Sequence, residues 1–337
     1  MADGDPAVLD LADLRALRFA SAGGAGGSPF APDPFLVVAP VGADEGDEDQ
    51  LAAWLARQPC PVIGFSDKGA AASALLAACD VVLDDIGDLA PIAANIRKAP
   101  LAAMTLVQVL RVTDGMPPAQ ALAVESLAYA TLQAGPEFAA WSRANPPAPE
   151  KLIVGEGPAV RIERDGSRIE LILNRPRSRN AMSVEMRDAL CEALQLVVAD
   201  ESITSVTLSG AGACFSTGGE LREFGTAPDP TTAHAIRSQR LPAALLLQCA
   251  DRVTAHLHSA CIGSGIELPV FAHRVTAARD TFIQLPELRF GLIPGAGGCV
   301  SLPRRIGRQR TAWLAFSGRR ISTATALGWG LVDEVVD

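Results

Sequence analysis

The chain has 337 residues, 49% of them hydrophobic and 20% charged, with a formal net charge of −9. That length exceeds the usual single domain and points to two. The acidic balance argues against non-specific binding to nucleic acid or to anionic membranes. Seven scattered cysteines (60, 79, 191, 214, 249, 261, 299) form no C-x-x-C pair. They suit a reducing compartment, so a cytoplasmic protein without a disulfide framework is expected. The opening M-A-D-G-D-P has no basic stretch followed by an apolar one, and no run approaches the ~18 apolar residues of a membrane span.

In chain order, residues 9–19 read as a short amphipathic helix, followed by a Gly- and Pro-punctuated loop. Phe35–Ala39 and Pro61–Phe65 read as short buried strands on either side of a helix over 51–57. The stretch 61–83 is similar in pattern to 253–276: strand, small-residue turn, apolar helix, β-branched strand. Superposing the two sets Ser264 against Ala71 and Glu267 against Ala74, as in a degenerate internal repeat without acid–base groups; any strand–helix–strand unit would read alike. Residues 89–142 are helical by period, with Ala119–Leu132 the clearest helix, opened by Pro117 and Pro118. The A-N-P-P-A-P-E run at 144–150 is the best linker signal. The expected division is an N-terminal α/β domain over 1–143, rich in helices, a linker over 144–157, and a second domain over 158–337.

The second domain opens with alternating apolar positions around Asp165-Gly166, a hairpin signal. A basic loop, N-R-P-R-S-R-N-A-M-S, leads to Ser183 as N-cap of a helix whose buried face is Met186, Leu190, Leu194 and Val197. Strands and helices then alternate to the end, as in a parallel sheet with crossover helices.

Two glycine-rich turns, Gly210–Gly219 and Gly263–Gly265, each follow a strand and precede helical sequence. Such turns can aim backbone N–H groups at a ligand oxygen, the requirement of an oxyanion hole, though glycines also serve simply to allow a tight turn. Glu267 follows the second turn in otherwise apolar sequence, I-E-L-P-V-F-A. Burial there would raise its pKa toward the range of a general acid or base. Glu287, behind Pro286, is unremarkable by itself. His256 and His258 share a strand face but have no third ligand in register, so no metal site is expected. Ser264 does not satisfy the G-x-S-x-G nucleophile elbow.

Five segments in order resemble the crotonase (enoyl-CoA hydratase/isomerase) family over roughly 158–337. They are N-R-P-R-S-R-N-A-M, G-A-G-A-C-F-S-T-G-G-E-L, S-A-C-I-G-S-G-I-E-L, Q-L-P-E-L-R-F-G-L-I-P-G-A-G-G and S-G-R-R-I-S-T-A-T-A-L-G-W-G-L-V-D-E-V-V. The resemblance implies an α/β fold of the crotonase type, a spiral of ββα repeats. It implies an enzyme that stabilises a thioester enolate, most simply a 2-enoyl-CoA hydratase. By position it assigns the oxyanion hole to the N–H groups of Thr217 and Ser264, and acid–base work to Glu267 and Glu287. It assigns CoA contacts to Arg177, Arg179 and Ala181, with Gly218, Gly219 and Gly263 along the thioester and pantetheine path. No cofactor is expected beyond the CoA of the substrate, and the implied assembly is a homo-oligomer, a trimer or hexamer.

The chain departs from the family pattern at Glu220, where aspartate is usual, at Thr217 and Ser264, which are bulkier than the usual alanine or glycine, and at His258. The family's C-terminal helices would follow Asp337, and the helices of 89–142 are expected to substitute for them. Two other readings remain open: an isomerase or C–C hydrolase using one glutamate, and a non-catalytic CoA-ester binder.

Overall fold

A computed structural model describes residues 6–39, 47–66, 73–146, 155 and 157–337. The first 83 residues build a parallel four-stranded sheet in the order Val8–Leu9, Leu36–Val38, Val62–Phe65 and Val81–Leu83. Its connections are the helices Leu11–Ala20, Glu48–Leu55 and Ala74–Ala78. The first helix starts two residues later than its apolar period suggests because Asp10 caps it, accepting from the Asp13 N–H at 2.9 Å.

Alternation decides what this sheet touches. Leu36 and Val38 face a small core shared with the three helices, whereas Phe35 and Val37 face the large core of the molecule. The sheet is therefore buried on both sides, as parallel sheets usually are. The helical stretch resolves into Leu89–Lys98, Pro100–Val112, Pro118–Gln133 and Pro136–Ala144. Proline opens three of these helices, where its missing N–H is no loss. Glu137 caps the helix Pro100–Val112, accepting from the Leu101 and Ala102 N–H groups at 2.7 and 2.9 Å.

The second half is a spiral. A six-stranded sheet runs Glu334–Val336, Arg274–Ala278, Val253–Leu257, Ser205–Gly210, Arg168–Leu173, Val160–Asp165. Only the hairpin of the last two strands is antiparallel, and Gly166 turns it with φ +59°. A second sheet runs Ile321–Ser322, Phe282–Gln284, Ala260–Ile262, extended by a bridge from Ser216 to Cys261. Each turn of chain thus leaves a strand in the first sheet, then one in the second, before a helix returns it. This is the ββα repeat that the resemblance implied. The connection 62–83 shares the parallel neighbours of 253–276 but has no second-sheet strand between them among the described residues, and Ala71 lies outside those residues.

One hydrophobic core runs from Phe35 to Val332 and takes in the helices of 89–144. It crosses the expected 144–157 boundary, of which 147–154 and 156 lie outside the described residues. Polar contacts join the halves too. Asp80, 2% exposed, accepts from the Val62 N–H at 2.8 Å and from Arg111 Nε at 2.8 Å, with Arg308 at 3.5 Å. Gln309 donates to the Leu76 carbonyl at 2.7 Å, and Asn95 to the Phe316 carbonyl at 2.8 Å.

Candidate active site

The strand Ala260–Ile262 ends in Gly263, whose φ of +52° with ψ of −124° favours glycine, and the one-turn helix Ser264–Glu267 begins there. This turn pushes Glu267 into the interior, where it is 2% exposed. Its Oε2 accepts from the N–H groups of Ala296 at 2.8 Å and Gly298 at 3.0 Å, at the start of the long helix Gly298–Ser317. Gly298 must be glycine, because a Cβ there would sit 2.6 Å from Glu267 Cγ. Glu287, on the short helical turn Glu287–Phe290, is 8% exposed. A methyl group on Gly263 would stand 2.6 Å from Glu287 Oε1 and 3.8 Å from Glu267 Oε1, so the two carboxyl groups flank one point.

The two differ in protonation for a physical reason. Burial raises the Glu267 pKa to about 7, and the two N–H donors hold it from rising further. Glu287 is pushed well above the usual carboxylate range by burial and then by the Glu267 charge. Its Oε2, like the Ser264 hydroxyl, is buried with no hydrogen-bond partner among the described residues. Burial and the neighbouring charge thus favour the protonated form of Glu287, and Glu267, held by two N–H donors, is the more readily ionised of the two.

Both carboxyl groups line a cavity of about 430 Å³, together with Ser264, Gly219, Met182 and Leu268. The expected oxyanion donor Thr217 requires correction. Its N–H donates to the Arg179 carbonyl at 3.1 Å and it does not line this cavity. The N–H groups of Gly219 and Ser264, in contrast, take no acceptor among the described residues. Both belong to the cavity wall, and the two turns touch: a Cβ on Gly218 would lie 2.8 Å from the Ile262 carbonyl. Ser264 opens a helix, where a free N–H is the rule.

Of the remaining expected residues, Gly218, Gly263 and Ala181 do not line the cavity. Arg177 and Arg179 are exposed and do not line it. The buried arginine of that loop is Arg175, 5% exposed, which pairs with Glu185 and donates to the carbonyls of Gly157 and Pro158. His256 meets the Thr276 hydroxyl at 2.5 Å and His258 the Gly212 carbonyl at 3.1 Å.

The sequence reading missed a third carboxylate. Glu125, on the Pro118–Gln133 helix, is 1% exposed and accepts from the N–H groups of Gly297 at 2.7 Å and Cys299 at 2.8 Å. Four consecutive N–H groups, 296 to 299, thus alternate between Glu267 and Glu125, and the first half of the chain takes part in the site. Burial and the nearby Glu267 charge raise the Glu125 pKa well above its usual value. The signal was present in L-A-V-E-S-L-A, an acid in apolar helical sequence, just as for Glu267.

Residues 163–337 match the sequence profile of the enoyl-CoA hydratase/isomerase family. The chain belongs to that family. It is 32% identical over 170 residues to a protein of Bacillus subtilis (strain 168) assigned as an enoyl-CoA hydratase/isomerase, covering 50% of this chain and 66% of that one. It is 33% identical over 171 residues to the 1,2-epoxyphenylacetyl-CoA isomerase of Escherichia coli (strain K12), covering 50% and 65%. The match thus spans just under two thirds of these relatives' own length. An enoyl-CoA hydratase/carnithine racemase structure from Magnetospirillum magneticum superposes with a TM-score of 0.50 at 25% identity, covering 56% of this chain and 72% of that one.

Proposed function

We propose that this protein acts on acyl-CoA thioesters through an enolate, most directly as a 2-enoyl-CoA hydratase. The observation that carries this reading is the buried pair Glu267 and Glu287, one held by two N–H donors and the other with an unpartnered oxygen, beside two free backbone N–H groups. The thioester carbonyl oxygen would rest on the N–H groups of Gly219 and Ser264. Glu267 takes a proton from water as its oxygen bonds to Cβ, and the C=C electron pair shifts to the thioester oxygen. As the carbonyl re-forms, Cα takes the proton of Glu287. A hole of two preorganised donors contributes a few kcal/mol of barrier lowering per donor, and each positioned carboxyl roughly 10²–10⁴-fold. The reading calls for no cofactor beyond the CoA carried by the substrate.

A second reading is an isomerase in which one carboxyl group moves a proton between two carbons. The similarity to a CoA-ester isomerase of Escherichia coli favours weighing it. Loss of the enone absorbance of crotonyl-CoA separates the two. Hydration that disappears in both Glu267→Gln and Glu287→Gln supports the hydratase, and double-bond migration without water addition, lost in only one variant, supports the isomerase. Binding of CoA esters without turnover would refute both.

A further inference from the structure

The cavity that holds the carboxyl pair is apolar on most of its wall, through Met182, Phe224, Ile236 and Leu268, but one side is cationic. Arg237, in the last turn of the helix Pro230–Gln239, and Arg240, the residue that ends that helix, both line the cavity there. Arg237 is half-buried and makes no ion pair among the described residues. Its nearest polar contacts are long, Nε to the Ser126 hydroxyl at 3.3 Å and a terminal nitrogen to Gln133 Oε1 at 3.4 Å. Charge-assisted bonds are nearer 2.7–2.9 Å. The acids around it are engaged elsewhere: Glu220 with Arg222 at 2.8 Å, Glu223 with the Val184 N–H, and Glu125 with two backbone donors. The charge that acts on Arg237 is Glu125, which makes no direct ion pair with it and has both oxygens taken by backbone donors. A guanidinium held partly out of water beside a cavity, with no acid bonded to it, is a receptor for an anionic ligand group.

Its place says which part of a CoA ester can supply that group. The Arg237 guanidinium stacks on the Tyr129 ring at 4.4 Å, and that ring packs directly on Gly295. The next residue, Ala296, donates to Glu267. One aromatic ring therefore separates Arg237 from the turn that holds the proposed base. In CoA the diphosphate stands some thirteen bonds from the thioester sulfur, roughly 15 Å when extended at about 1.2 Å per bond. With the thioester at the carboxyl pair, an extended CoA arm carries its phosphates well past Arg237, whereas a group a few atoms along the acyl chain stays within its reach.

We propose that the acyl group of the substrate carries a carboxylate a few carbons beyond the reacting pair, and that Arg237, with Arg240 beside it, receives it. This rests on the acyl-CoA reading above. Calorimetric titration of the full chain with glutaryl-CoA, valeryl-CoA and free CoA tests it. The first two differ by a carboxylate in place of a methyl group. Glutaryl-CoA binds about tenfold more tightly than valeryl-CoA, as one charge-assisted contact would give, and the preference shrinks in high salt. In Arg237→Gln the ratio falls to near one. Equal or weaker binding of glutaryl-CoA to the wild type overturns the proposal. So does an Arg237→Gln variant that loses free CoA as strongly as the esters, since the arginine would then be a phosphate contact. If Arg237→Gln does not fold, the wild-type ratio and its response to Arg240→Gln decide. Binding of neither ester would instead remove the acyl-CoA reading itself.

Discussion

Replacing Glu267 by glutamine should make the protein more stable at alkaline pH while abolishing the proposed hydration. Folding raises the Glu267 pKa from 4.5 to about 7, chiefly by burial. Between those values the folded state holds more protons than the unfolded one, so stability falls as pH rises through that window. At about 1.4 kcal/mol per pH unit the full effect is roughly 3 kcal/mol, reached above pH 7 and absent below about 4.5. Glutamine keeps the shape and one acceptor oxygen for the Ala296 and Gly298 N–H groups, but has no charge to bury. Urea unfolding of both proteins at pH 5 and pH 8 measures the difference. The variant should gain little at pH 5 and up to about 3 kcal/mol at pH 8. A difference independent of pH would show that Glu267 ionises as an ordinary exposed carboxyl, and the proposed base would lose its physical basis.

Gly263→Ala forces a side chain onto a φ of +52° and a Cβ to within 2.6 Å of Glu287 Oε1, so turnover of crotonyl-CoA should fall by about 100-fold, read as kcat. Glu125→Gln turns one acceptor of the 296–299 turn into a donor facing an N–H, costing about 1–3 kcal/mol in urea unfolding, and unchanged stability would refute that turn's dependence on Glu125. Asp80→Ala strips Arg111 and the Val62 N–H of a buried partner and should cost about 3–5 kcal/mol, with a lower thermal midpoint. A midpoint within a degree of wild type would contradict the role of Asp80 in joining the two halves.

Much of the second half was legible because its signals are local. Alternation around Asp165-Gly166 gives the hairpin, and Ser183, accepting from the Met186 N–H at 3.2 Å, starts the helix with the four expected buried residues. Glu267 was legible as a charge in apolar sequence. Glu287 was not, since its meaning arises only where Gly263 lets it approach the other carboxyl. That the Thr217 N–H is not free has a similar cause: both Thr217 and Gly219 sit in a glycine-rich turn, and only the Arg179 carbonyl, 38 residues away in sequence, decides which N–H is taken. Glu125 and Arg237 reach the site by packing of the Pro118–Gln133 helix against later elements, a contact no local pattern encodes. For the same reason the linker-like 144–150 run did not reveal that one core spans both halves. No helix among the described residues is long and apolar enough to cross a membrane.

The proposed role of these carboxyl groups is to move a proton at the carbon next to a thioester. Incubating the full chain with butyryl-CoA in deuterated water and following the mass of the recovered ester measures this without assuming hydration. Deuterium should enter at Cα in the wild type and be lost in Glu287→Gln. Butyryl-CoA that binds but gains no deuterium, or exchange that survives Glu287→Gln, would contradict the assignment of Glu287 as the proton carrier.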